Sequence, residues 1–203
     1  MWSMVYGQPG MVAWCLDHGA SVIPSDEDWE RYGVIQGPRY CDPILDAAAA
    51  HGDIATFELL RLKGAPLGQR TLHRAVEVAG FGPKRAEDPE KLSEKQREDR
   101  AKHARHMDMV YHLLDVLKLD VNAPDRAPGD TRGMSSAYGT PICYISGSFR
   151  PDLETCELTW LLLDRGADPA PALKDAEGHA PFLEDVKAWK SRHSGRGRNC
   201  CVQ

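Results

Sequence analysis

Three segments of this 203-residue chain repeat one pattern, and that repetition limits the fold more than any single residue does. They are MVAWCLDHGASV at 11–22, FELLRLKGAPL at 57–67 and LTWLLLDRGADP at 158–169. Each is an apolar run of helical length, then one or two charged residues, then Gly-Ala. A fourth segment, MVYHLLDVLKLDVNAPD at 109–125, has the same run with Lys118-Leu119 in place of Gly-Ala. Gly19, Gly64 and Gly166 each follow a helix where a left-handed residue is expected, a conformation that glycine adopts at little cost. A second element recurs upstream, as DPILDAAAAHGD at 42–53, RTLHRAVEVAG at 70–80 and GTPICYISGS at 139–148. Each reads as a short helix of small residues. Asp42-Pro43 and Thr140-Pro141 suit an N-cap followed by Pro at the first helical position. The unit is a short helix, a turn, a longer helix, Gly-Ala and a loop. The predicted helices lie near 11–17, 43–51, 54–62, 71–79, 107–117, 141–146, 153–164 and 180–190. Trp14, Leu59, Leu60, Leu113, Leu114, Trp160, Leu161 and Leu162 are the candidates for packing between them, with at least five expected to be mostly buried.

In this arrangement the chain resembles the ankyrin-repeat family. The resemblance rests on Thr71-Leu72-His73-Arg74-Ala75, Thr140-Pro141-Ile142, Asp120-Val121-Asn122-Ala123 and Gly166-Ala167-Asp168, and spans roughly residues 3–190. It implies an all-α solenoid of stacked helix pairs with long inter-repeat loops. The units read as a partial N-terminal repeat at 1–22, a repeat at 42–68, a repeat at 69–125, a repeat at 139–170 and a degenerate capping repeat at 171–190. Between them lie insertions at 23–41 and 126–138, and a charged insertion at 80–105 inside one repeat. The Gly-Ala positions at 19, 64 and 166 show that the units are stretched beyond the family period of about 33 residues. The family's histidine slot holds His73 in one unit but Asp46 and Cys143 in two others, which puts its side-chain network in doubt there. Gly7 corresponds to the glycine between two helices, so the first unit begins in mid-repeat. That end is expected to expose some of Met11, Val12 and Trp14. Either upstream repeats are missing or the end pairs with something.

Composition excludes several classes. A formal net charge of −5 gives no basic footprint for nucleic acid. No stretch approaches the roughly 20 apolar residues that span a bilayer, and MWSMVYGQPG is not a secretory signal. The six cysteines form no C-x-x-C pair, so a zinc ribbon is unsupported; a reducing, cytoplasmic compartment is expected. Cys15 and Cys156, inside apolar helical runs, read as small buried hydrophobes. The insertion is different in character. Between Lys84 and Arg105 stand eight basic and six acidic side chains with almost nothing apolar except Leu92. It reads as a solvated charged helix, starting at Asp88-Pro89, or as a loop. Residues 84–102 are expected to be the most mobile part of the ordered chain.

Chemistry-bearing patterns are sparse. His103, His106 and His112 make an H-x-x-H-x5-H spacing with Asp108 nearby, but a polar helix that happens to hold histidines is the preferred reading. A Cys143–His73 nucleophile pair needs the fold to bring the two together, and nothing around Cys143 marks an acyl-transfer site. No cofactor motif is present. The expectation is therefore no catalytic residue, no metal and no cofactor. The loops carry Trp29, Arg31, Tyr32, Tyr40, Arg126, Arg132 and Tyr138, the residue types that dominate interface energetics. Taken singly, each is as readily explained by loop packing or solvent exposure. The function that the resemblance implies is a non-enzymatic scaffold for another protein. The chain ends Cys200-Cys201-Val202-Gln203, matching C-a-a-X, with Cys200 the expected farnesylation site. Lys187, Lys190, Arg192, Arg196 and Arg198 would add attraction to an anionic membrane surface. The alternatives are a tail that ends this way by chance, a soluble fragment of a larger array, and a small hydrolase or metal site on Cys and His residues.

Overall fold

The computed structural model describes residues 9–23, 43–84, 91–125, 139–146, 153–176 and 180–194. The helices are α1 (Pro9–Asp17), α2 (Ile44–His51), α3 (Ile54–Leu62), α4 (Thr71–Gly80), α5 (Glu94–Tyr111), α6 (Cys143–Ser146), α7 (Cys156–Asp164), α8 (Ala170–Asp175) and α9 (Ala180–Ser194). A π-helical turn at His112–Val116 continues α5. Among the described residues there is no strand, only an isolated antiparallel bridge between Lys84 and Leu153.

The helices touch in two rows. In one row α2 packs on α4, α4 on α6 and α6 on α8. In the other, α1 packs on α3 and α7 on α9. The rows meet where α2 contacts α3 and where α4 contacts α5 and α7. Small residues make the first row close: Ala48, Ala49, Ala75 and Ala79 are buried beside Leu45, Leu72, Val76 and Ile145. The second row supplies the bulk, from Phe57 and Leu60 through Met107, Val110 and Leu113 to Leu162 and Phe182. Burial of a Leu or Phe side chain contributes about 1.5–3 kcal/mol. Leu60, Leu113, Leu114, Leu161 and Leu162 are buried as expected, and Leu59 and Trp160 are partly so. Trp14 is not: it is 57% exposed and stacks on His18, while Val12 carries the buried face of α1.

Helix ends follow the expected pattern. Gly19, Gly64 and Gly166 have φ of 89°, 92° and 89°. After each, the alanine N–H reaches back to a carbonyl of the last turn: Ala20 to Cys15 at 2.9 Å, Ala65 to Leu60 at 3.1 Å and Ala167 to Leu162 at 3.0 Å. The unit without Gly-Ala keeps the motif. Lys118 takes φ 56°, and Leu119 N–H donates to Leu113 O at 3.0 Å. That bond spans one residue more than in the other units, and the π-helical turn absorbs the extra residue.

Several boundaries differ from the sequence reading. Pro43 is the N-cap of α2 rather than its first residue. Residues 140–145 begin as a tight turn with i→i+3 bonds, Cys143 to Thr140 and Tyr144 to Pro141, so α6 starts at Cys143 and not at 141. α8 is an addition to the predicted helices; Pro169 and Pro171 flank its start, and proline is tolerated in a first turn. The charged insertion is helical from Glu94 and continuous with the second helix of its unit, not a separate element between two helices. Its start is set by Ser93, whose Oγ accepts from Gln96 N–H while the Gln96 side chain accepts from Ser93 N–H, and not by Asp88-Pro89. Cys15 and Cys156 are half-buried rather than enclosed. No helix of the described residues is long and apolar enough to cross a membrane.

Candidate functional site

Buried polar side chains are costly unless paired, so their partners show what the fold holds in place. The slot residues on α2, α4 and α6 each bond toward a neighbouring turn. Asp46 on α2 is buried and accepts a hydrogen bond from Thr71 Oγ1 on α4. A side chain at Gly68 would collide with that carboxylate, so the turn before α4 requires glycine. His73 on α4 is fully buried, with Nε2 at 3.0 Å from Ala123 O and 3.1 Å from Gly139 O. Two carbonyl acceptors place the proton on Nε2. Nδ1 has no hydrogen-bond partner, and burial holds the imidazole pKa below its ordinary value, so the ring is neutral. On α6, Cys143 Sγ lies 3.5 Å from Thr140 Oγ1.

His73 belongs to a larger network at the base of the 126–138 segment. Asp125 and Gly139, the residues that bound that segment, are bonded to each other twice: Asp125 N–H donates to Gly139 O at 2.9 Å, and Gly139 N–H donates to Asp125 Oδ2 at 3.0 Å. Tyr144 Oη donates to the same Asp125 oxygen at 2.8 Å. Arg70 donates from Nη2 to Tyr144 Oη at 3.1 Å, with its guanidinium carbon 5.7 Å from the ring centroid. The His73 ring meets the Tyr144 ring edge-on at 5.4 Å. Burial and then the Asp125 hydrogen bond push the Tyr144 phenol well above its ordinary pKa, so it remains a donor. α4 and α6 thus grip both feet of one segment. The next turn is tied similarly: Asn122 Nδ2 donates to Gly166 O at 2.9 Å, and Asp168 N–H donates to Asn122 Oδ1 at 2.8 Å.

The chemistry available here is positioning. The fold gathers His73 and Cys143 around Gly139, but His73 Nε2 is committed to two carbonyls, and Cys143 faces a threonine hydroxyl. The histidine triplet is split. His103 and His106 line one groove beneath α5, whereas His112, on the π turn, sits 2.8 Å from Glu58 on α3. Among the described residues no group of three or more His, Cys, Asp or Glu side chains could hold a metal ion. Lys187, Lys190 and Arg192 are exposed on α9; Arg192 lies over the Trp160 ring at 5.3 Å. Trp29, Arg31, Tyr32, Tyr40, Arg126, Arg132, Tyr138, Arg196, Arg198 and Cys200 lie outside the described residues. Sequence reasoning missed Arg70, Asp125 and Tyr144. Asp125 closes the NAPD run that follows α5 and its π-helical turn, and that position was the available signal. No family model, curated protein or solved structure matches the chain.

Proposed function

We propose that the chain is an ankyrin-type repeat array acting as a non-enzymatic scaffold for a protein partner, engaged through the 23–41 and 126–138 segments. The observation that carries this reading is the locked base of the second segment. Asp125, Gly139, Tyr144 and His73 fix its ends to two packed helices. Loops presented by a rigid scaffold are where binding residues concentrate. Repeating helix pairs, left-handed glycines at 19, 64 and 166, and buried His73 in the family's histidine slot support the ankyrin assignment. Tyr and Arg at 126, 132 and 138, and Trp29 with Arg31 in the other segment, supply the anchor chemistry. The polar ends of such side chains give specificity, and the rings give buried area.

The test is affinity capture with the intact chain against Arg132→Ala/Tyr138→Ala and Trp29→Ala/Arg31→Ala variants. A specific partner should be lost from at least one variant with the thermal midpoint unchanged. Equal capture by all three proteins would defeat the reading. The tether at Cys200 is decided separately, by intact mass of protein from a eukaryotic host. An unmodified Cys200 removes it and leaves the scaffold reading intact.

A further inference from the structure

A cavity of about 430 Å³ opens between α5 and the stretch that follows α4. Its volume falls within the range of small-molecule sites. Its apolar lining is formed by Val78, Phe81, Pro83 and Leu153. Phe81 is 56% exposed, a large ring turned outward beside the opening. The α5 wall is cationic. Lys95, Arg100 and Lys102 line it, Lys84 joins from the far side, and Asp99 is the one carboxylate among the described lining residues. In a chain of net charge −5, this groove concentrates positive charge.

That charge is only partly met by the protein. Arg100 pairs with Glu154 at 2.8 Å. Lys95 and Lys102 are exposed and form no salt bridge among the described residues. They stand two helical turns apart, on one face of α5. Behind them His106 is 6% exposed, and its Nε2 has no hydrogen-bond partner; His103 Nδ1 is likewise without one. Such orphaned nitrogens in a cavity wall need explaining in a folded protein. The field is positive at His106, whereas Glu157 and Glu154 act the other way at His103. Burial first, then Lys102, Arg105, His103 and His51, bring the His106 pKa down to about 4. A metal cation would enter against that field. An anion would relieve it.

We infer that this groove binds a small organic phosphate bearing a flat apolar group, with the phosphate between Lys95 and Lys102 and the ring on Phe81 and Pro83. The two halves of the site select the two halves of the ligand. Lysine ammonium groups offer multiple charge-assisted bonds to phosphate oxygens. Phe81 offers a face for stacking. This inference is independent of the scaffold reading, which places the partner on other segments.

The test is titration of the full chain with phenyl phosphate, followed through the side-chain resonances of His103, His106 and Phe81. Inorganic phosphate and benzyl alcohol are the half-ligand controls. Phenyl phosphate should give saturable shifts at all three residues and bind at least about tenfold tighter than either control. Lys95→Gln/Lys102→Gln should weaken phenyl phosphate by about tenfold or more at an unchanged thermal midpoint. Phe81→Ala should erase the advantage over inorganic phosphate while leaving inorganic phosphate binding in place. Absence of saturable shifts overturns the inference. So does equal binding by the double lysine variant, or benzyl alcohol binding as tightly as phenyl phosphate.

Discussion

Lys118 does with a side chain what Gly19, Gly64 and Gly166 do without one. All four lie in the left-handed region, where a Cβ brings a cost of roughly 1–2 kcal/mol. Space is not the issue at the glycines, since a Cβ added at Gly19, Gly64 or Gly166 would meet nothing within 4 Å. The effect of substitution is therefore conformational. Gly64→Ala and Gly166→Ala should each destabilise the chain by about 1–2 kcal/mol, and Lys118→Gly should stabilise it by about 0.5–1 kcal/mol, all read from urea midpoints at constant slope. The three glycine positions were legible in the sequence because glycine itself is the signal. Lys118 was not, since a lysine gives no sign of its backbone angle. The Asp125–Tyr144–Arg70 network was hidden for a related reason: Arg70 and Asp125 stand at opposite ends of one unit and Tyr144 in the next, and no local spacing links them.

At the scale of elements, α5 joins two unlike halves. From Glu94 to Arg105 it is charged and largely exposed; from His106 onward it is buried against α4 and its own π turn. Backbone hydrogen bonds in a solvated half-helix open locally, whereas those under packed side chains open only with the whole fold. Amides at 96–102 should therefore exchange much faster than those at 107–114. Ser93→Ala removes the capping box and, at about 1 kcal/mol, should speed exchange in the first turn roughly fivefold. If the variant matches the parent in exchange over 94–98, the cap contributes nothing. Apolar runs ending in Gly-Ala gave away α1, α3 and α7. The start of α5 did not show because Asp88-Pro89 competes with Ser93 as a cap, and α8 did not because its prolines imitate a loop. Trp14 misled because a nearly continuous apolar run does not say which face is covered.

Across the whole molecule, polar ties run along the second row. His112 meets Glu58, Arg165 makes a two-pronged pair with Asp115 at 2.7 and 2.8 Å, and Trp189 Nε1 donates to Asp164 at 2.7 Å. The π turn contributes both His112 and Asp115 to these ties. Against them stand two buried histidines held neutral, His73 and His106. An unfolded histidine titrates near 6.5, whereas His106 titrates at about 4 in the folded chain. Between those values the unfolded chain binds a proton that the folded chain refuses, so stability falls as pH drops through 6.5 and levels off near 4. For His106 the loss between pH 7.5 and 5 is about 2 kcal/mol. Urea unfolding at the two pH values measures it. His106→Gln should flatten the difference by most of that amount, and an unchanged pH dependence would show that the imidazole already takes up its proton in the fold.

Asp125 and Gly139 bear on how such a protein can change over generations. Because Asp125 and Gly139 are held by their own hydrogen bonds and by Tyr144 and His73, the two attachment points stay in register whatever sequence joins them. Doubling a flexible loop costs only about 0.6 kcal/mol in closure entropy. Longer or wholly different sequences can therefore be installed between those two residues, and new recognition can be selected there, while the helices beneath keep their packing.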